Sequence, residues 1–257
     1  MAKAKPAAEE AAQDTAVAVA DEKSTAVAAP VEGFKVGVKS EDMLVPFLAV
    51  VQQLSDPVTK GKDAYNPDVE AGDVYDKVTR MVYTGCEIVV ADIKKYYGEW
   101  EGDVRGALVG KHAVDSDVVK NAVKIEKTSA KGNPYITLQT EDGNDLIETF
   151  GVVCVVQKDG LVIPATFTLA KTSFMVGKTL SSMIALQQQM GVPKFRFDTV
   201  TASNDKGTWH KPSFTFVGLE NNAEIINMAT ALNAMSDKIL FRQYEAESDI
   251  APESNEV

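Results

Sequence analysis

Basic and aromatic side chains interleave at three places along the chain, around residues 60–65, 94–100 and 194–211. A single nucleic-acid strand is held by Lys and Arg side chains that contact phosphates and by exposed rings on which bases stack. In a strand, alternate residues face opposite sides, so Lys94, Tyr96 and Trp100 could share one face. We therefore interpret these places as candidate nucleic-acid contacts. With two further lysines, the candidates are Lys60, Lys62, Lys94, Lys95, Tyr96, Trp100, Lys171, Lys178, Arg196, Trp209 and Lys211.

The aromatic residues divide into two groups. One group alternates with polar residues and is expected in the core. Its members are Phe195, Phe197, Phe214 and Phe216. The other group has polar ring atoms that suit either a core or a surface, so core packing and base stacking both stay open for it. Its members are Tyr96, Tyr97, Trp100 and Trp209.

The sequence contains no recognisable catalytic or metal-binding motif. Gly177-Lys178-Thr179 ends like a phosphate-binding loop, but that pattern needs a glycine where Thr172 stands. His112 and His210 are far apart in sequence, and neither is near a cysteine. The carboxylates between residues 63 and 76 do not follow the order of a calcium loop. We expect a non-enzymatic protein without a metal site or cofactor.

The charge is unevenly distributed. The chain has 26 Lys and Arg against 37 Asp and Glu, a net charge of −11. Residues 243–257 hold five carboxylates and no Lys or Arg, whereas residues 160–219 hold six Lys or Arg and two Asp. Residues 1–33 lack aromatic residues, and such segments cannot bury enough apolar surface to offset their ordering entropy. We expect a disordered tail at 1–33, one domain at 34–242 and an acidic disordered tail at 243–257.

Strand patterns dominate the middle of the chain. Val, Ile, Thr and aromatic residues predict strands at 86–93, 94–100, 135–139, 146–157 and 161–169, with a tight turn at Asp159-Gly160 between the last two. Alternation of apolar and polar residues predicts further strands at 195–201 and 209–217. Apolar spacing predicts helices at about 172–190, where Thr172 or Ser173 can cap the start, and at 223–240. It also predicts a short helical run at 44–54. The predicted fold class is α+β, mainly β: an OB-like five-stranded barrel with added strands and helices.

The compartment follows from two further patterns. No apolar run approaches the roughly 18 residues that a membrane-spanning helix needs, and no secretory signal is present in the first thirty residues. Cys86 and Cys154 each lie in an apolar strand-like segment, which favours buried thiols over a disulfide. We expect a cytoplasmic protein that does not contact a membrane.

Several segments between about residues 42 and 240 form one further pattern: 45–48, 53–55, 58–62, 72–73, 78–79, a hairpin ending at 161–167, a Lys- and Ser-containing helix up to Met190, and 206–209 leading to Pro212 and Phe214. Together these segments resemble a family of bacteriophage single-stranded-DNA-binding proteins. The resemblance implies an oligonucleotide-binding barrel and an acidic C-terminal tail that contacts replication proteins. This chain departs from it at Asn255-Glu256-Val257, where a terminal aromatic residue is absent.

We therefore expect a protein that binds and protects single-stranded DNA, independent of sequence, during phage DNA replication or recombination. Its expected location is the cytoplasm of the bacterial host. Its expected partners are single-stranded DNA and, through the acidic tail, phage replication or recombination proteins. The alternative is a non-enzymatic virion or assembly protein, in which the same basic and aromatic residues are ordinary surface and core.

Overall fold

A computed structural model describes residues 44–102, 107–128, 132, 134–204 and 207–242. The expected tails at 1–33 and 243–257 lie outside this part. In the described part, one sheet contains ten strands and is accompanied by three α-helices. The strands are β1 Phe47–Val50, β2 Val74–Asp76, β3 Cys86–Trp100, β4 Leu108–Ala113, β5 Val123–Thr128, β6 Pro134–Gln139, β7 Asp145–Lys158, β8 Leu161–Ala170, β9 Val192–Asn204 and β10 Gly207–Glu220. The helices are α1 Asp117–Asn121, α2 Phe174–Gln187 and α3 Ala223–Arg242.

The long strands are connected as a Greek key. The hydrogen-bonded order is β10-β9-β3-β7-β8-β1-β2, with β4 on β3 and the β5–β6 hairpin on β7. Apart from the insertion that carries β4, β5 and β6, the chain runs antiparallel through β3, β7 and β8 and then returns through α2 to place β9 beside β3. A fourth strand beside the first is the Greek-key arrangement.

The sheet is curled around one apolar core. On its inner face Phe167 of β8 lies 5.5 Å from Phe214 of β10, between ring centroids, and Phe197 of β9 contacts both rings. Because β8 and β10 are not hydrogen-bonded neighbours, this contact requires strong curvature and makes the sheet a half-barrel. Leu180 of α2 is fully buried in the same core. A buried side chain of this size contributes about 1.5 to 3 kcal/mol, which holds α2 over the inner face.

The opposite, outer face is covered by α3. Val153 and Val155 of β7 pack against a helix stripe that includes Ile225, Leu232 and Leu240. The stripe repeats at helical spacing, so one face of α3 is buried while residues such as Lys238 stay exposed. No helix of the described residues is long and apolar enough to cross a membrane.

The segment that follows β1 approaches the free edge of β10. Gln52 donates its Nε2–H to the His210 carbonyl at 2.9 Å, and its Oε1 accepts the His210 N–H at 3.0 Å. Gly72 lies against the same histidine: its φ is +102°, and a Cβ there would be 2.9 Å from His210 Nδ1. Along a strand, successive backbone N–H groups point to alternate edges, so the nitrogen of Pro212 points to the same free edge as the N–H of His210. The missing N–H of Pro212 therefore removes no hydrogen bond between β10 and β9.

Most of the predicted elements are confirmed. The mainly β class, the helix at 223–240 and the tight turn are found, with φ of 50° at Asp159 and 81° at Gly160. The helical run at 44–54 is wrong: residues 47–50 form β1, because pairing with β8 buries Leu48 completely. Ser173 precedes α2 but makes no capping hydrogen bond. The sheet is open, and the five-stranded barrel is not confirmed.

Candidate nucleic-acid interface

A cluster of cations and rings lies where α2 begins. The Phe150 ring of β7 stacks on Phe174, the first residue of α2, with centroids 4.9 Å apart and planes 29° apart. Lys178 Nζ lies 5.0 Å from the centre of the Phe174 ring. Lys95 of β3 is directly opposite Phe150 in the sheet, and Lys171 comes three residues before Phe174. We call Lys95, Phe150, Lys171, Phe174 and Lys178 the basic–aromatic surface.

Local chain geometry positions this surface. Ala170 ends β8 opposite Thr149, and Lys171 then turns the chain with a φ of 49°, a conformation that is uncommon outside glycine. Its carbonyl accepts the N–H of Phe174. Gly177 is buried against the Phe150 ring, where a Cβ would approach within 2.5 Å of Cδ2. The absent side chain lets the helix start lie directly on the ring.

The surface carries a net positive charge. Lys95 is paired with Glu148, and this hydrogen bond raises the pKa of Lys95. Tyr97 donates to the same carboxylate at 3.4 Å; burial and the nearby charge raise the pKa of Tyr97. Lys171 and Lys178 are exposed, and neither forms an ion pair with a described residue. The two unpaired lysines can therefore contact phosphates without breaking an existing salt bridge.

A second group of candidates lies on the outer face of the β9–β10 hairpin. Arg196 is exposed, and Lys211 and Trp209 are partly exposed on the same face, opposite to the buried Phe197. Asp198 lies between Arg196 and the other two along this face, which lowers its positive charge. Trp209 Nε1 is buried and has no hydrogen-bond partner among the described residues. The hairpin is thus a smaller and less basic surface than the one at α2.

Two of the candidate residues, Lys94 and Tyr96, already contact other parts of the fold. Lys94 Nζ lies 3.1 Å from a carboxylate oxygen of Asp92 and 2.8 Å from one of Asp237 in α3. The hydrogen bond to Asp237 is the main cause that raises the pKa of Lys94; burial lowers this pKa, and the hydrogen bond to Asp92 raises it further. Tyr96 is 2% exposed and packs beside Phe241 of α3. For Tyr96 the structure favours the core alternative, since a ring buried under α3 cannot stack on a base.

The remaining candidates are separate from these groups. Lys60 and Lys62 are exposed in the loop that follows a single 3-10 turn at 56–58, and Lys62 is paired with Asp56 at 3.3 Å. Trp100 is partly exposed at the end of β3, between β4 and β7. The sequence thus names residues from several surfaces, and the structure brings together Lys95, Lys171 and Lys178.

Sequence reasoning missed both rings of the basic–aromatic surface. Phe150 was part of a predicted strand and Phe174 part of a predicted helix, and neither has a lysine as its sequence neighbour. A usable signal is the spacing of Phe174 and Lys178, because residues four apart lie on the same side of a helix. No comparable signal links Phe150 to α2.

A buried carboxylate near β4 has a structural role. Glu99 Oε2 lies 2.6 Å from His112 Nε2, and Glu99 Oε1 accepts from Asn144 Nδ2 at 2.8 Å. These bonds connect β3 to β4 and to the turn before β7. In the described part of the chain, no group of His, Cys, Asp and Glu is arranged to hold a metal ion.

Comparison with known proteins gives one assignment. No curated protein and no solved structure matches the chain. A family model described as Pam3 phage gp34-like protein matches residues 12–238. The match confirms the expected phage origin. The chain therefore belongs to the Pam3 phage gp34-like protein family.

Proposed function

We propose that this phage protein is a non-enzymatic single-stranded-DNA-binding protein that coats and protects DNA, independent of sequence, during replication or recombination. The observation that carries the proposal is the basic–aromatic surface, where a partly exposed ring stack is flanked by two unpaired lysines. Each component matches one part of a single strand. Lysines neutralise phosphates, and a ring stacks on any base because every base has a π-face.

The strand order supports an oligonucleotide-binding barrel as the finer description of the fold. Five strands, β3, β7, β8, β9 and β10, form the Greek key, with α2 between the third and the fourth. Barrels of this class are partly open and five-stranded, and they bind oligonucleotides on the face of strands 2 and 3 and on the adjoining loops. In this chain α3 packs on the outer side of β7, the second of these strands. We therefore assign DNA to the rim of the half-barrel at α2.

Binding of oligonucleotides by the full chain tests this proposal. Fluorescence anisotropy with a labelled oligothymidine should show binding that weakens with salt. The logarithm of the affinity should fall with the logarithm of the salt concentration with a slope of roughly −0.7 per neutralised phosphate, which gives roughly −3 for about four contacts. A duplex of the same length should bind at least about tenfold more weakly, because its bases are not available to stack. Equal affinity for the two, or no salt dependence, would overturn the proposal and favour an assembly role.

The ring contribution can be separated from folding. Phe174→Ala should weaken oligothymidine binding by about 1 to 3 kcal/mol if the ring stacks on a base. Leu186→Ala is the matched control, since Leu186 is 71% exposed near the other end of α2. Thermal melting of both variants shows whether α2 is retained. A folded Phe174→Ala variant that binds like the control would remove Phe174 from the interface.

A further inference from the structure

The β5–β6 hairpin forms an arm that is poorly covered by the rest of the fold. Among the described residues β5 pairs with β6 alone, and β6 joins β7 only where Leu138 and Gln139 face Leu146 and Asp145. A two-stranded ribbon is at best marginally stable in water, and further strands are needed to stabilise it. One edge of β5 has no partner in the described part of the chain.

The arm also exposes large apolar side chains. Val123 is 56% exposed on β5, and Ile136 and Tyr135 are 72% and 45% exposed on β6. Val123 and Tyr135 lie on one face of the ribbon and Ile136 on the other. An uncovered backbone edge next to exposed apolar residues is a template for strand addition.

The charges on β5 indicate what the added strand is. Lys124 and Glu126 are exposed on the same face, separated by Ile125. Within the hairpin they face Leu138 and Ile136, so neither has an oppositely charged residue across from it in β6. Neither forms an ion pair with a described residue. The strand is therefore complementary to itself about its centre at Ile125.

We propose that two copies of this chain associate through the free edges of β5, antiparallel about a two-fold axis at Ile125. This pairing places Lys124 of each copy opposite Glu126 of the other, so two ion pairs form. Ile125 faces its own counterpart, and Val123 of each copy lies diagonally across from it on the same face. A self-complementary contact of this kind is the isologous interface of a two-fold dimer.

Neighbouring registers are electrostatically worse. Residues directly opposite each other in an antiparallel pair share one face, so the neighbouring two-fold registers have their axis one residue away. An axis at Lys124 places the two Lys124 side chains opposite each other, and an axis at Glu126 does the same for the two Glu126 side chains. An in-register parallel pairing places Lys124 beside the Lys124 of the other chain and Glu126 beside the other Glu126. Like charges directly opposite one another destabilise a sheet, so the charge pattern specifies one register.

Charge exchange tests the dimer in the full chain. Sedimentation velocity over a concentration series should show a monomer–dimer equilibrium for the wild type. Lys124→Glu and Glu126→Lys each place like charges opposite one another twice, and each should weaken association by at least about tenfold. The double variant restores opposite charges in exchanged positions and should return to within about threefold of the wild type. Melting temperatures of all four proteins verify that the arm variants are folded.

Each of the following outcomes would overturn the proposed pairing. A wild type that stays monomeric at all concentrations excludes it. Association that neither single variant weakens excludes the β5 edge, and association that the double variant fails to restore excludes this register. If the variants change oligothymidine affinity while the protein stays monomeric, the arm contacts DNA instead. This inference does not depend on the proposed DNA binding, because association is measured without an oligonucleotide.

Discussion

The side-chain amide of Gln52 pairs with the backbone of His210 in both directions, at 2.9 and 3.0 Å. The amide takes the place of a neighbouring strand, whose backbone would offer one N–H donor and one carbonyl acceptor to His210 in the same way. The contact therefore joins the two ends of the curled sheet without a continuous backbone ladder, at a position where Pro212 interrupts the edge.

Replacing Gln52 should weaken this junction. Gln52→Ala removes both hydrogen bonds and should lower the free energy of unfolding by about 1 to 2 kcal/mol. Gln53→Ala is the matched control, because Gln53 is exposed and next in the chain. Urea denaturation measures both variants. Identical midpoints for the two would show that the amide contact does not stabilise the half-barrel.

Lys94 should matter for stability and not for DNA. Lys94→Ala leaves Asp92, whose side chain is 18% exposed, without its cation. Because Lys94 itself is about one third exposed, solvent screens the pair and the expected loss is only about 1 kcal/mol. Lys238→Ala, an exposed lysine on the same helix as Asp237, should change neither quantity. Weaker oligothymidine binding by a Lys94→Ala protein of unchanged melting temperature would return Lys94 to the DNA interface.

Both cysteines should be inert in the native protein. Burial raises the pKa of the Cys86 thiol to about 12 and raises that of Cys154 as well. At pH 8 almost no thiolate is then present to react. Mass spectrometry after iodoacetamide treatment should find no alkylation of native protein and alkylation of both cysteines in concentrated guanidinium. Rapid labelling of the folded chain would contradict the burial of β3 and β7.

Removing residues 243–257 should tighten DNA binding. If DNA binds the domain, the five carboxylates of this segment should compete with phosphate for its cations, and such competition is screened over about 8 Å at physiological ionic strength. The gain should therefore be larger at low salt than at high salt, with an unchanged melting temperature. Paired titrations of the full and shortened chains measure it. Equal affinities at low salt would leave the tail a role in solubility or in contacts with other proteins.

The sequence predicted elements where local patterns agree with the tertiary structure. Enrichment in Val, Ile, Thr and aromatic residues identified β7 and β8, alternation identified β9 and β10, and a periodic apolar stripe identified α3. It failed at β1, where an apolar run of helical appearance is extended because β8 supplies its hydrogen bonds. It also missed β2, β4, α1 and β5, which have only three to six residues each and so give a window too short for a periodic pattern.

The sequence predicted the types of residue in the candidate site, but not which of those residues lie together in the structure. Lysines were found from charge alone, yet Lys94 and Lys95 are neighbours that face opposite sides of β3: one is bound by α3 and the other borders Phe150. Which side α3 covers depends on packing between elements distant in sequence. The Phe150–Phe174 stack has the same origin, so no local pattern reveals it.

Charge reversal of Lys171 and Lys178 tests the proposed DNA interface most directly. A Lys171→Glu, Lys178→Glu double variant should lose at least about tenfold in oligothymidine affinity at low salt, because two phosphate contacts become repulsive. The matched control reverses Lys120 and Lys238, two exposed lysines on α1 and α3. The control should bind within about twofold of the wild type, with both proteins melting alike. Equal affinities of the two double variants would show that DNA does not bind at the start of α2.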